Sequence, residues 1–150
     1  MNEFKPFDDR LAGLIAALSP VSRRRMAADI AKTLRTRQQR RIKTQKAPDG
    51  TPYAARKRQP VRAKKGRVKR EMFAKLRTNR FMKASGRDDA AVVEFAGKVQ
   101  RMVKVHQFGL KDRPNLHSED VQYPERPLIG YNQKIKVLIS DLILDRYQAY

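Results

Sequence analysis

The sequence contains no cysteine, no tryptophan and only two histidines. Without cysteine there are neither disulfides nor thiolate metal sites. The histidines, His106 and His117, have no carboxylate or second histidine at ligand spacing. Acids are scarce as well: 15 Asp and Glu stand against 35 Lys and Arg, a formal net charge of +20. No apolar run approaches the roughly 20 residues that a membrane-spanning helix needs. The opening residues Met1 to Pro6 lack the apolar core of a signal peptide, so the expectation is a soluble chain made in the cytoplasm. Aromatics supply only 7% of the 150 residues, which predicts a modest core and a sizeable solvated or partner-facing fraction. Also missing is any grouping of nucleophile, base and orienting residue, or a glycine-rich phosphate loop opening a helix. Asp88 and Asp89 read as turn formers, Asp141 and Asp145 as the polar side of a helix, and Glu119 and Asp120 as loop residues. None is assigned a catalytic or metal-binding role, and neither a cofactor nor enzymatic activity is expected.

What is abundant is positive charge, and it is concentrated. Arg35, Arg37, Arg40, Arg41, Lys43, Lys46, Arg56, Lys57, Arg58, Arg62, Lys64 and Lys65, continued by Arg67, Lys69 and Arg70, face the single acid Asp49. That segment carries +14 of the formal +20. Charge of this kind speaks to partners rather than to fold. As a nucleic-acid element it would neutralise phosphates and bind with a steep salt dependence. Tyr53 is its only aromatic, so serial base stacking is not available to it. The other reading is a solvated arm that docks on an acidic protein surface, and composition does not decide between the two.

Taken in order, the chain predicts an α+β fold, mostly helical, in a single domain over 1–150. Residues 8–45 form a helical pair. Asp8 or Asp9 caps the first helix, with Leu11, Leu14, Ile15 and Leu18 as its apolar stripe. Ser19-Pro20 separates it from the second, whose buried face is Met26, Ala27, Ile30, Ala31 and Leu34. The stripe fades after Leu34, so Arg35 to Gln45 is expected to leave the body of the domain as an exposed helix. Residues 46–66 form an extended basic arm, with a turn at Ala47-Pro48-Asp49-Gly50-Thr51-Pro52-Tyr53. Residues 67–130 form a hairpin-and-helix core. It comprises a short helix or turn at Val68 to Leu76, a small antiparallel hairpin around Ser85 to Asp89, and a helix from about Val99 to Gly109. A polar loop follows, with a short strand near Val121 to Tyr123 or Leu128 to Ile129. Residues 131–150 form a long amphipathic C-terminal helix capped by Asn132. Its apolar face, wider than one core contact needs, offers Leu138, Ile139, Leu142, Ile143 and Tyr147 as a subunit interface.

Three short stretches carry a resemblance. Pro48-Asp49-Gly50-Thr51-Pro52-Tyr53 is followed by His106-Gln107-Phe108-Gly109 and then by Pro124-Glu125-Arg126-Pro127-Leu128-Ile129-Gly130. In this order, with a basic segment between helices, they resemble the phage virion morphogenesis, or tail completion protein S, family of contractile-tailed temperate phages. The resemblance runs from the N-terminal helices to about Gly130, and beyond Tyr131 it extends only to an amphipathic helix of the same kind. It implies a non-enzymatic virion protein, made in the host cytoplasm, for tail completion and head–tail joining at the head-proximal end of the tail. It further implies a homo-oligomeric ring, usually sixfold. The expected partners are further copies of the chain, adjacent tail tube, sheath and neck proteins, and DNA passing through the lumen. No membrane is among them. A free nucleic-acid-binding protein, or an assembly chaperone absent from the finished particle, are the alternatives. His106, Gln107, Phe108, Gly109, Arg126, Pro127 and Gly130 are expected to be structural.

Overall fold

Why the N-terminal helices form is visible in their residues. A computed structural model describes residues 5–56, 71–130 and 143 of the chain. Helix α1 spans Lys5–Ala16. It starts before the anticipated cap, since Pro6 is compatible with a first helical turn, and Asp8 falls inside that turn, where its charge suits the helix dipole. Helix α2 runs over Pro20–Lys43. Its start is as expected: the Ser22 backbone N–H donates to the Ser19 hydroxyl at 3.2 Å, the bond an N-cap side chain supplies.

The chain divides into two compact units. The first comprises Met1–Thr36, Lys83–Glu94 and Tyr131–Tyr150. Its core joins Leu11 of α1 to Met26 and Ile30 of α2 and to Ile143, with Ile15, Leu18 and Leu34 packed around them. Each such side chain taken out of water contributes about 1.5–3 kcal/mol. The unit also holds most of a two-stranded sheet, β1 (Met82–Gly86) and β2 (Ala91–Phe95). The Arg87 N–H donates to the Ala90 carbonyl at 2.8 Å to close the turn, and so short a connection makes the pair antiparallel. At its tip Gly86 lies so close to α2 that a Cβ there would come within 2.2 Å of the Ala28 backbone nitrogen.

The second unit comprises Arg37–Met82 and Phe95–Gly130. Here α2 ends, and a one-turn 3-10 helix over Gly97–Val99 leads into α3 (Gln100–Phe108). Two short strands follow, β3 (Lys111–Asp112) and β4 (Val121–Gln122), paired antiparallel with Lys111 opposite Gln122 and Asp112 opposite Val121. β4 is the strand anticipated near Val121; its partner was not anticipated, being only two residues long.

Two expectations need correction in this unit. The last turns of α2 are not an exposed projection, because Ile42 is fully buried and Gln38 is 5% exposed. The apolar stripe skips two turns after Leu34 and resumes at Ile42, and the residues between them that turn inward, Gln38 and Arg41, are polar. Residues 46–55 are not a free extension. The Ala47 N–H donates to the Thr51 carbonyl at 2.8 Å, Gly50 donates back to Ala47 at 2.9 Å, and the Thr51 N–H is held by the Asp49 carboxylate at 2.9 Å. Pro48 and Asp49 thus occupy the centre of a turn closed on both sides. Of the short helix or turn expected at Val68 to Leu76, the described part, residues 71–76, takes the turn form. Phe73 has φ +66, a left-handed conformation that a helix interior does not accept. The Gln45 side-chain amide pins this segment, donating to the Met72 carbonyl and accepting from the Met72 N–H, each at 3.0 Å.

Most of the anticipated C-terminal helix lies outside the described residues, as do Leu138, Ile139, Leu142 and Tyr147. Ile143 is described: it is helical and belongs to the first unit's core.

Candidate functional site

The second unit brings together the three stretches that stand far apart in the sequence. The link begins on α2. Gln38 and Arg41, one turn apart, face inward. Gln38 donates to the Gly130 carbonyl at 2.9 Å and accepts from Arg41. The Arg41 guanidinium also donates to the Leu128 carbonyl, to the Lys46 carbonyl at 2.9 Å and, at 3.4 Å, to the Tyr53 hydroxyl. Tyr53, buried at the end of the turn, in turn donates to the Pro127 carbonyl at 2.6 Å. Burial holds its phenol above the ordinary value, with Arg41 opposing, so the hydroxyl keeps the proton it donates.

Helix α3 supplies the second side of this joint. The Gln107 side chain accepts from the Leu128 and Ile129 backbone N–H groups at 2.8 and 3.1 Å and donates to the Ile129 carbonyl at 3.0 Å. One amide therefore satisfies three backbone groups of a segment that belongs to no helix or sheet, which is how irregular backbone becomes tolerable when half buried. The His106 carbonyl accepts from the Arg126 N–H at 2.7 Å. The Arg126 side chain then reaches the other stretch, donating from Nε to Ala54 at 2.8 Å and from an Nη to Ala55 at 3.1 Å.

The aromatic residues form a continuous row. Tyr53 meets Phe73 edge-on at 5.6 Å, Phe73 meets His106 at 4.9 Å, and His106 meets Tyr123 at 5.2 Å, with interplanar angles of 72° to 87°. Such T-shaped pairs contribute about 0.5–1.5 kcal/mol each beyond their burial. His106 sits in the middle. Its Nδ1 is buried and has no hydrogen-bond partner among the described residues. Burial, and then the Arg126 guanidinium, hold its pKa below the ordinary 6.5.

A pH dependence follows. On unfolding the imidazole enters water, where it accepts a proton that the folded state disfavours. The stability that the neutral ring confers should be complete above about pH 6.5 and be lost progressively as pH falls from there through the lower folded-state value. Thermal unfolding measured from about pH 8 down to about pH 5 checks this. The midpoint should drop across that window, and His106→Phe should remove that component of the drop.

Beside the ring row lies an open groove of about 530 Å³. Phe73, His106 and Tyr123 form part of its wall, Met102 of α3 and Val121 of β4 add hydrocarbon, and Arg56 and Arg126 bring positive charge. Neither the row nor the groove is foreshadowed by spacing, since their members come from four separate stretches.

The residues expected to act as a basic arm divide into groups. Arg41 is committed to the joint. Arg35, at the end of the first unit's part of α2, is half-buried; Arg37, Arg40, Lys43, Lys46 and Arg56 are exposed. Lys57, Arg58, Arg62, Lys64 and Lys65 lie outside the described residues. Of the motif residues expected to be structural, Phe108 differs from its neighbours. His106 and Gln107 face inward, whereas Phe108 is 64% exposed. Among the described residues no three His, Asp or Glu come together as a possible metal site, and no helix is long and apolar enough to cross a membrane.

No solved structure matches the chain. A curated relative, "Tail completion protein S" of Escherichia phage P2, is 52% identical over 145 residues, covering 96% of this chain and 97% of its own length. A family model described as the phage virion morphogenesis family matches residues 2–148, which include all three stretches of the joint. The chain therefore belongs to the phage virion morphogenesis family.

Proposed function

We propose that this chain is a non-enzymatic structural protein that completes the phage tail and makes it competent to join the head, acting as a ring at the head-proximal end of the tail. The observation that carries the proposal is the 52% identity, over nearly the full length of both chains, to a tail completion protein. The geometry of the second unit is consistent with it. Motifs of an enzyme family would be expected to present side chains to a substrate, whereas here Gln107, Arg41 and Tyr53 spend their polar atoms on the chain's own backbone. What the unit offers outward is a surface bearing Phe108 and the cations of α2. A ring needs heterologous lateral contacts, and an exposed aromatic with a charged surround is the sort of residue that anchors one. Six copies of a 17.4 kDa chain would weigh about 104 kDa.

Imaging of purified virions and tails with a label on this chain tests the proposal. Signal at the head–tail junction is the expected result; label absent from every particle would instead favour an assembly chaperone. The +14 segment favours a second reading, free nucleic-acid binding, which predicts affinity for duplex DNA that falls steeply with salt. On the structural reading, replacing Lys57, Arg58, Lys64 and Lys65 together by Gln should leave the thermal midpoint unchanged and weaken joining. Four charges at a few tenths of a kcal/mol each amount to about tenfold in affinity. The yield of infectious particles, scored against the yield of separate heads and tails, reads this out.

A further inference from the structure

The groove beside the ring row contains a charge without a counterpart. Arg126 is 6% exposed, yet among the described residues no carboxylate lies within ion-pair distance of it. Its partners are the Ala54 and Ala55 carbonyls, which satisfy hydrogen bonds but do not neutralise a cation. Burying a guanidinium without a counter-charge is costly. Arg56, also on the groove, adds to that cost: burial first, and then the like charge of Arg56, lower the Arg126 pKa. Glu71 on the same groove is engaged with Arg77 at 3.3 Å, and Lys75 adds a further cation to the lining. Residues 57–70, which follow Arg56, include no Asp or Glu that could supply the missing charge.

Apart from Gln122 and the His106 imidazole, the remainder of the groove is lined mainly by hydrocarbon and rings. Met102 is 50% exposed there, an uncovered thioether of the kind that adapts to a partner's side chain. A cavity of about 530 Å³ falls within the range of built ligand sites, roughly 300–1,000 Å³. A nucleic-acid backbone would require cations repeated along a track; here they border a pocket of hydrocarbon and rings.

We infer that this groove is a docking site for a partner polypeptide carrying an Asp or Glu side chain next to an aromatic one, the carboxylate meeting Arg56 and Arg126 and the ring inserting between Met102 and the Phe73–His106–Tyr123 row. The occupant restores the charge balance of a buried cation and covers the exposed apolar lining in one step. The inference rests on the second unit alone and holds or fails independently of the tail-completion reading.

Nuclear magnetic resonance titration of the full chain tests it with three probes. These are the capped peptide acetyl-Gly-Glu-Phe-Gly-amide, its counterpart with Gln in place of Glu, and a short DNA duplex. The acidic peptide should shift the signals of Phe73, Met102, His106 and Tyr123 saturably, and bind about tenfold more tightly than the Gln peptide. Arg126 holds Ala54 and Ala55, so its replacement confounds binding with folding. Arg56→Gln is the informative variant, and should reduce the preference for the acidic peptide to about threefold or less. Met102→Glu should abolish binding of both peptides while leaving the thermal midpoint in place. Equal affinity for the two peptides, no saturable shift with the acidic one, or shifts located elsewhere would overturn the inference. So would a duplex that perturbs the same signals and displaces the peptide, which would assign the groove to nucleic acid.

Discussion

Gln107→Leu should cost the second unit a large fraction of its stability. The substitution keeps the approximate volume and removes the amide, leaving the Leu128 and Ile129 N–H groups and the Ile129 carbonyl without the partners they have at 2.8 to 3.1 Å. A buried polar group left unsatisfied costs about 1–3 kcal/mol. The site is only half-buried, so water will recover part of this, and a net loss of about 3 kcal/mol is the expected scale. Against a typical stability of about 5–15 kcal/mol that is a large fraction. For a unit of this size it corresponds to a fall in melting temperature on the order of 10 °C or more. The effect should be seen by amide hydrogen exchange at residues 124–130 before it is seen elsewhere, because that segment has no ladder of its own to fall back on. Gln107→Glu separates hydrogen bonding from packing. It keeps both acceptor bonds but turns the donor to Ile129 into an acceptor facing that carbonyl, and with two N–H groups still paired to a carboxylate it should destabilise less than Leu. Equal destabilisation by the two substitutions would mean that shape, not hydrogen bonding, holds the segment.

The same residue shows how far the sequence can be read. Helix α3 is legible: Val99, Met102, Val103 and His106 repeat at helical spacing and Gly109 marks the stop. The turn at Pro48 to Tyr53 is legible from Pro, Asp and Gly chemistry alone, and the Ser19-Pro20 boundary from capping. What pattern cannot express is long-range polar contact. Gln38, Arg41 and Arg126 read as solvated charge and amide because such residues usually are, and the basic bias of 35–70 hides those with structural roles among those without. Their burial depends on the carbonyls of Ala54, Ala55, Leu128 and Gly130, 71 to 92 positions away in the chain, and no local periodicity encodes a partner at that distance. The only sequence-level hint was indirect. Arg41 and Gln38 are spaced i, i+3, on one face with Ile42 at i+4, so an apolar residue resumes where the stripe had lapsed. The groove was invisible for a similar reason, since its walls come from 56, 71–76, 102–106 and 114–126. Phe73 is a further case: a left-handed aromatic is a conformation that local propensity argues against and that tertiary packing imposes.

Adjacent positions at the end of α3 should respond in opposite ways, and this contrast separates folding from assembly. Gly109 has φ +65 and ends the helix, with the Leu110 N–H returning to the Val105 carbonyl at 2.9 Å, the longer bond of a Schellman ending. A left-handed conformation costs an L-residue about 1–2 kcal/mol, and more when the side chain is β-branched. Space is also lacking, because a Cβ at 109 would sit 2.9 Å from the Glu125 backbone nitrogen. That nitrogen cannot move freely, since the next residue is tied to α3 through the bond from the Arg126 N–H to the His106 carbonyl at 2.7 Å. Gly109→Ala should therefore cost roughly 2 kcal/mol and Gly109→Val at least roughly 3 kcal/mol, measured as the shift in denaturation midpoint at constant slope. If Val proves no worse than Ala, the contact with Glu125 relaxes more readily than the geometry indicates. Phe108, one residue earlier and 64% exposed, makes the opposite prediction. Phe108→Ser removes little buried area, so the midpoint should stay within about 0.5 kcal/mol of the parent, while the proposed ring assembly or head joining should weaken. A Phe108 variant that unfolds the protein would return that ring to the core. One that leaves both folding and particle yield unchanged would remove it from the proposed interface, and the lateral contacts of the proposed ring would then have to be sought on another face.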